Sequence, residues 1–98
     1  IVVFASGATR IDMVRIAVAA GARQARRATL EEARAATGFA AGGTPPFGYP
    51  SPLRVFADAA LRRHEHVWSA GGTPTSVFPI PLAELVRAAG AMWVDVAE

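Results

Sequence analysis

Two histidines, four serines, one acid near the C-terminus and one glycine–proline stretch carry whatever chemistry this chain has. His64 and His66 flank Glu65, and on a strand residues two apart point the same way, with the one between opposite. Such a pair supplies two corners of a metal site. A catalytic zinc takes three protein ligands, and the chain has no third histidine and no cysteine. The pair therefore reads as structural or surface histidines, and neither a metal nor a cofactor is expected. The missing cysteine also excludes disulfides, a thiolate nucleophile and the cysteine pair of a zinc deaminase. Ser6, Ser51, Ser69 and Ser76 all lie outside a Gly-x-Ser-x-Gly turn, which leaves serine catalysis poorly supported. All ten basic residues are arginine, so no amine base or Schiff base is available.

Asp95 lies between Val94 and Val96 in a terminal apolar run. A carboxylate there is costly unless it is paired, hydrogen-bonded or part of a site. The plainer alternative is an alternating strand with Asp95 facing water, and the residues alone leave both open. The stretch Gly42-Gly43-Thr44-Pro45-Pro46-Phe47-Gly48-Tyr49-Pro50 holds three glycines and three prolines, so no helix or strand period survives it. One reading is a long connection pinned by prolines. The other is a stiff loop anchored by Phe47 and Tyr49, whose unused amides meet an oxyanion or a ribose hydroxyl. Gly42-Gly43 is followed by prolines instead of a helix start, unlike a phosphate-binding glycine motif.

These residues need elements to hold them. Ile1–Ala5 is an apolar, β-branched run and predicts a buried strand. Thr9 with Asp12 predicts a helix start, with Ile11, Val14, Ala17 and Val18 as its stripe and Gly21 as its stop. Residues 22–28 read as an edge strand or an extended link. Thr29-Leu30-Glu31-Glu32 is a capping box opening a second helix with Leu30, Ala33 and Ala36 inward, and Gly38 ends it. Past the loop, 53–57 reads as a strand, 58–63 as a helical turn with Leu61 buried, and 64–70 as a strand sending Val67 and Trp68 into the core. Gly71-Gly72-Thr73-Pro74 predicts a hairpin turn, with 75–80 as its partner strand. Pro81 opens the last helix on Leu82, Leu85, Val86 and Ala89, Gly90 stops it, and 92–96 is the final strand.

The order β-α-β-α-loop-β-β-β-α-β in 98 residues, 52% hydrophobic, predicts one compact α/β domain of the α+β type over 1–98. Its sheet is expected to be mixed, mostly antiparallel and flanked by helices. No apolar run is long enough to cross a bilayer, and the lack of cysteine fits a reducing cytoplasm. A net charge of +2 is modest, but arginine suits phosphate contact, with Arg10, Arg26, Arg27 and Arg54 as candidates. The chain opens inside a strand, which reads as the C-terminal portion of a domain whose first part precedes Ile1.

Thr37-Gly38-Phe39-Ala40-Ala41-Gly42-Gly43-Thr44-Pro45-Pro46-Phe47-Gly48, Val67-Trp68-Ser69-Ala70-Gly71-Gly72, Leu82 to Leu85 and Val94-Asp95-Val96-Ala97-Glu98 follow one another in a pattern that resembles the YbaK/EbsC family. That family holds the prolyl-tRNA-synthetase-associated editing domains and their free-standing relatives. The resemblance implies a cytoplasmic deacylase hydrolysing the ester between a wrong amino acid and the terminal ribose of tRNA, without a cofactor. Its partners would be the tRNA acceptor end and an aminoacyl-tRNA synthetase. Gly42, Gly43, Thr44, Pro45 and Pro46 would line the aminoacyl pocket, with Phe47 and Gly48 continuing it. Gly71 or Gly72 would place a backbone group beside the ester, and Asp95 would stand at the pocket floor. Water or a substrate group would attack while amides hold the developing charge. The family's strand lysine has no counterpart here and is expected upstream of Ile1. Alanine-editing relatives carry a histidine where this chain has Gly72-Thr73-Pro74, which speaks against alanine as the amino acid removed. A rival from another class is a non-catalytic module holding a small molecule or an aminoacyl-RNA end in the same pocket.

Overall fold

Val55-Phe56-Ala57-Asp58 is the most deeply buried strand, with all four residues inside. The computed structural model describes residues 1–98 apart from Ala41 and Pro74. The buried strand, β2 (Val55–Asp58), is the centre of a three-stranded sheet between β1 (Val2–Phe4) and β5 (Met92–Val94). Both pairings are parallel, with Val3 opposite Phe56 and Phe56 opposite Met92. Parallel neighbours require long crossovers. The first runs through α1 (Met13–Ala20), an extended link and α2 (Leu30–Thr37). The second runs through a 3-10 turn (Ala59–Arg63), the hairpin β3 (His66–Ala70) and β4 (Val77–Pro81), and α3 (Leu82–Ala89).

Alternation along β2 divides the core. Phe56 faces Ile16 of α1 and Val96, while Leu61, Leu82 and Leu85 form a second cluster with Phe4, Val67, Ile80 and Trp93. Phe56 and Val96 are each 1% exposed, and burying one such side chain contributes about 1.5–3 kcal/mol. Among the described residues no helix is long and apolar enough to cross a membrane.

The mixture of strand directions is divided between two sheets: a parallel one at the centre and the antiparallel β3–β4 hairpin beside it. The 22–28 stretch forms no strand and is an extended link. The capping box at Thr29 forms as read, with the Glu32 amide donating to Thr29 Oγ1 at 3.1 Å and the Thr29 amide donating to Glu32 Oε1 at 3.0 Å. Gly21, Gly38 and Gly90 all close their helices in the left-handed conformation.

Other expectations need correction. The cap of α1 is Asp12 rather than Thr9, its carboxylate accepting from the Val14 and Arg15 amides. The buried stripe of α1 is Ile16–Ala17, whereas Val14 and Val18 are 73% and 75% exposed. A helix starting later presents a rotated face to the sheet. Leu30 is also exposed. Val67 and Trp68 cannot both face inward on one strand: Val67 joins the core and Trp68 stays 70% exposed. Pro81 ends β4 and caps α3 instead of opening the helix.

Candidate functional site

The loop after α2 is tied down at its root. Thr37 is buried; its hydroxyl donates to Ala33 O at 2.8 Å and accepts from the Phe39 amide at 3.2 Å. The Gly43 amide donates to Ala40 O at 3.0 Å, and Thr44 Oγ1 donates to the same oxygen at 3.3 Å. Tyr49 donates its hydroxyl to Pro45 O at 2.8 Å, and burial pushes its pKa up, so the proton stays in that bond. These contacts consume carbonyls. Among the described residues the amides of Gly42, Thr44, Phe47 and Gly48 find no protein acceptor. Gly43 and Pro46 are buried, and Phe47 is part-exposed at the rim.

The hairpin turn approaches that root. The Gly71 amide is engaged, donating to Ser76 O at 2.8 Å. A β-carbon on Gly71 would lie 3.2 Å from Ser76 Cβ, so a larger residue there would push the turn apart by a few tenths of an ångström. Gly71 therefore holds the turn rather than offering a free donor. Gly72, at φ +105°, adopts a conformation that side chains rarely tolerate, and a β-carbon there would stand 3.6 Å from the Phe39 ring. The Gly72 amide has no acceptor among the described residues. The turn is further held by Thr73 Oγ1 donating to Ser76 Oγ at 2.7 Å. Pro74, part of the predicted turn, and Ala41, part of the loop motif, lie outside the described residues.

Pro46, Phe47, Gly48 and Tyr49 line a cavity of about 280 Å³, closed by Val55 and by Ala88 and Ala89 of α3. Gly42, Gly43, Thr44, Gly71 and Gly72 are not on its wall.

Asp95 is placed differently from the expectation. Alternation sends Val94 and Val96 inward, and the Asp95 side chain is 82% exposed, with Oδ1 3.6 Å from Arg15 Nη1. It lines none of the three cavities of about 280, 480 and 910 Å³. The plainer of the two sequence readings therefore holds for its position. His64 and His66 are exposed, and no cluster of metal-holding side chains occurs among the described residues.

Sequence reasoning passed over Asp58. It ends β2, is 1% exposed, and among the described residues neither carboxylate oxygen has a donor. It caps the 3-10 turn by position but makes no side-chain capping bond. An acid closing the apolar run Val55-Phe56-Ala57 was the available signal.

The arginines also sort themselves. Arg26 is bound to both Glu32 oxygens at 2.8 and 2.7 Å. That contact, with help from Thr29, holds the Glu32 carboxyl down at about 2. Arg54 donates to Ala20 O at 2.8 Å and lies over the Phe56 ring. Arg10, Arg26 and Arg27 border a cavity of about 910 Å³ between α1 and the 22–28 link.

Loop and turn thus each leave amides without a protein acceptor among the described residues, and donors of that kind can hold developing negative charge. Comparison with solved structures gives three close relatives in shape. A structure described as a candidate trans-editing enzyme for prolyl-tRNA synthetase matches with TM-score 0.89 at 40% identity, covering 98% of this chain and 60% of that one. A scaffold used in computational grafting of linear epitopes matches with TM-score 0.89 at 35% identity, covering 98% and 63%. A hypothetical protein, APE2540, matches with TM-score 0.83 at 31% identity, also covering 98% and 63%. This chain thus spans somewhat under two thirds of the length of each. No curated protein matches it. The family model for the aminoacyl-tRNA editing domain matches residues 1–88, and the chain belongs to that family, the YbaK family of editing domains.

Proposed function

We propose that this chain hydrolyses the ester joining a wrong amino acid to the terminal ribose of tRNA, acting on the charged tRNA outside the synthetase that made it. The observation that carries the reading is the approach of Gly72 to the Phe39 ring, so close that a β-carbon on Gly72 would stand 3.6 Å from it. It brings the hairpin turn to the root of the Gly42–Gly48 loop, where the nearby hydroxyls of Thr44, Thr73 and Ser76 have no histidine beside them to act as a base. In this mechanism the aminoacyl group packs against Gly42, Gly43, Thr44, Pro45 and Pro46, with Phe47 and Gly48 at the rim. The Gly72 amide donates to the ester oxygen as it gains charge, Gly71 keeps the turn closed, and water attacks the carbonyl. The C–O bond to the ribose breaks, and that oxygen leaves as the hydroxyl. Asp95, solvated in the free protein, accepts a hydrogen bond from the attacking water or a ribose hydroxyl once substrate covers it.

Removing a donor of the oxyanion-hole type costs about 10²–10³ in rate. The test is single-turnover deacylation of tRNA mischarged with a panel of amino acids. Release of at least one amino acid is expected, and Gly72→Pro, which deletes the amide and also cannot hold φ +105°, should slow it at least about a hundredfold. If no mischarged tRNA loses its amino acid faster than in buffer, the hydrolase reading is overturned.

A further inference from the structure

The outer face of the β3–β4 hairpin carries His66, Trp68 and Ala70 opposite Pro81, Pro79 and Val77. Trp68 is 70% and Val77 64% exposed, while Val67 and Ile80 on the inner face pack against the core. Pro81, in the same outer row as His66, is also part of a cavity of about 480 Å³ shared with Arg62, Glu65, Arg87 and Trp93. Arg62 lies over the Trp93 ring, 4.5 Å from its centroid. Stacking fixes the plane of the guanidinium and leaves its N–H edge for another acceptor. Among the described residues neither Arg62 nor Arg87 donates to a protein acceptor, unlike Arg15, Arg26 and Arg54. Two arginines meet one carboxylate, Glu65, so the cavity has surplus positive charge. At its other end β3 runs straight into Gly71-Gly72. Five residues at ~3.3 Å each put about 16 Å between the cavity and the turn.

We infer that this face carries the single-stranded 3′ end of an RNA, with a backbone phosphate in the Arg62–Arg87 cavity, a base stacked on Trp68 and the terminal ribose delivered to Gly72. The inference rests on the editing reading only for the identity of the group at that terminus. An exposed indole serves any base, because every base presents a π-face, and flanking arginines supply the attraction for phosphate. Charge decides for RNA over an apolar protein segment: a protein docking on Trp68, Val77 and Pro79 draws nothing from a cavity where two arginines face one carboxylate.

The probe is an uncharged RNA hairpin with a short single-stranded 3′ overhang, titrated into the full chain. In a Trp93→Phe background Trp68 fluorescence is expected to be quenched on binding. Trp68→Ala should weaken affinity about tenfold while Trp68→Phe stays near the parent. Arg62→Gln with Arg87→Gln should weaken it similarly and flatten the dependence of log affinity on log salt by roughly one to two. Arg87→Gln alone keeps the test available if the double variant does not fold. Trp68→Ala and Arg87→Gln proteins that bind the overhang like the parent overturn the inference. So does an effect of Trp68→Ala confined to self-association in sedimentation. A minimal aminoacyl-nucleoside ester, too short to reach Trp68, separates the two readings. Its hydrolysis with RNA affinity indifferent to Trp68 leaves the hydrolase and removes the track. Overhang binding that follows Trp68 and Arg87, without cleavage of any ester, leaves the track and removes the hydrolase.

Discussion

Two aspartates end neighbouring strands of the same parallel sheet and live in opposite surroundings. Asp58 closes β2 and is buried without a donor for either oxygen among the described residues; Asp95 follows β5 and is solvated beside Arg15. Asp58 lies on the central strand, buried on both faces, and pairs in register with Val94, whereas Asp95 lies past the end of the edge strand β5 and is open to solvent. The lesson is that an acid in an apolar strand says little until the strand's place in the sheet is known, because a central parallel strand is covered on both faces whereas the end of an edge strand is left open to water.

Substitutions sharpen this contrast. The largest expected effect is on activity: Asp95→Ala should slow single-turnover deacylation about a hundredfold while leaving the thermal midpoint unchanged, since exposed sites usually change stability by less than ~0.5 kcal/mol. An unchanged rate would take Asp95 out of the mechanism. Asp58→Val should behave in reverse. An unpaired buried polar group costs about 1–3 kcal/mol, so replacing it with a β-branched side chain should raise the melting midpoint by several degrees. A lower midpoint would mean that the carboxyl has a donor after all. Asp12→Ala, which deletes the α1 cap, should cost about 1 kcal/mol in denaturant unfolding. Arg15→Gln tests whether the Asp95 contact matters to the fold, and a change below ~0.5 kcal/mol is expected for so exposed a pair.

The smallest effect concerns acid. The folded-state pKa of Glu32 is lowered to about 2 by Arg26 and Thr29. Its contribution is therefore present above the ordinary carboxylate range and is lost as pH falls from about 4.5 towards 2. Glu32→Gln should make the melting midpoint slightly less sensitive to pH over that window, as read by scanning calorimetry.

Much of the candidate site was legible before any coordinates. The glycine–proline loop and the Gly71–Gly72 turn were identified by residue type, because proline and glycine constrain φ wherever they stand. Their approach at Phe39 and Gly72 was not legible, since it depends on how the hairpin lies beside α2. Trp68 was assigned inward because its hydrophobicity was read without its parity against Val67. Asp58 was absorbed into a helical turn because its local sequence resembles a cap.

The sequence alone determined what depends on near neighbours: helix ends at Gly21, Gly38 and Gly90, and the Thr29–Glu32 box. Tertiary structure decided which strands pair, which face each strand buries, and which guanidiniums are spent inside the fold. The reason is physical. Capping and turn formation are settled by backbone geometry within a few residues, whereas burial and pairing depend on partners that the chain meets only after it has closed on itself.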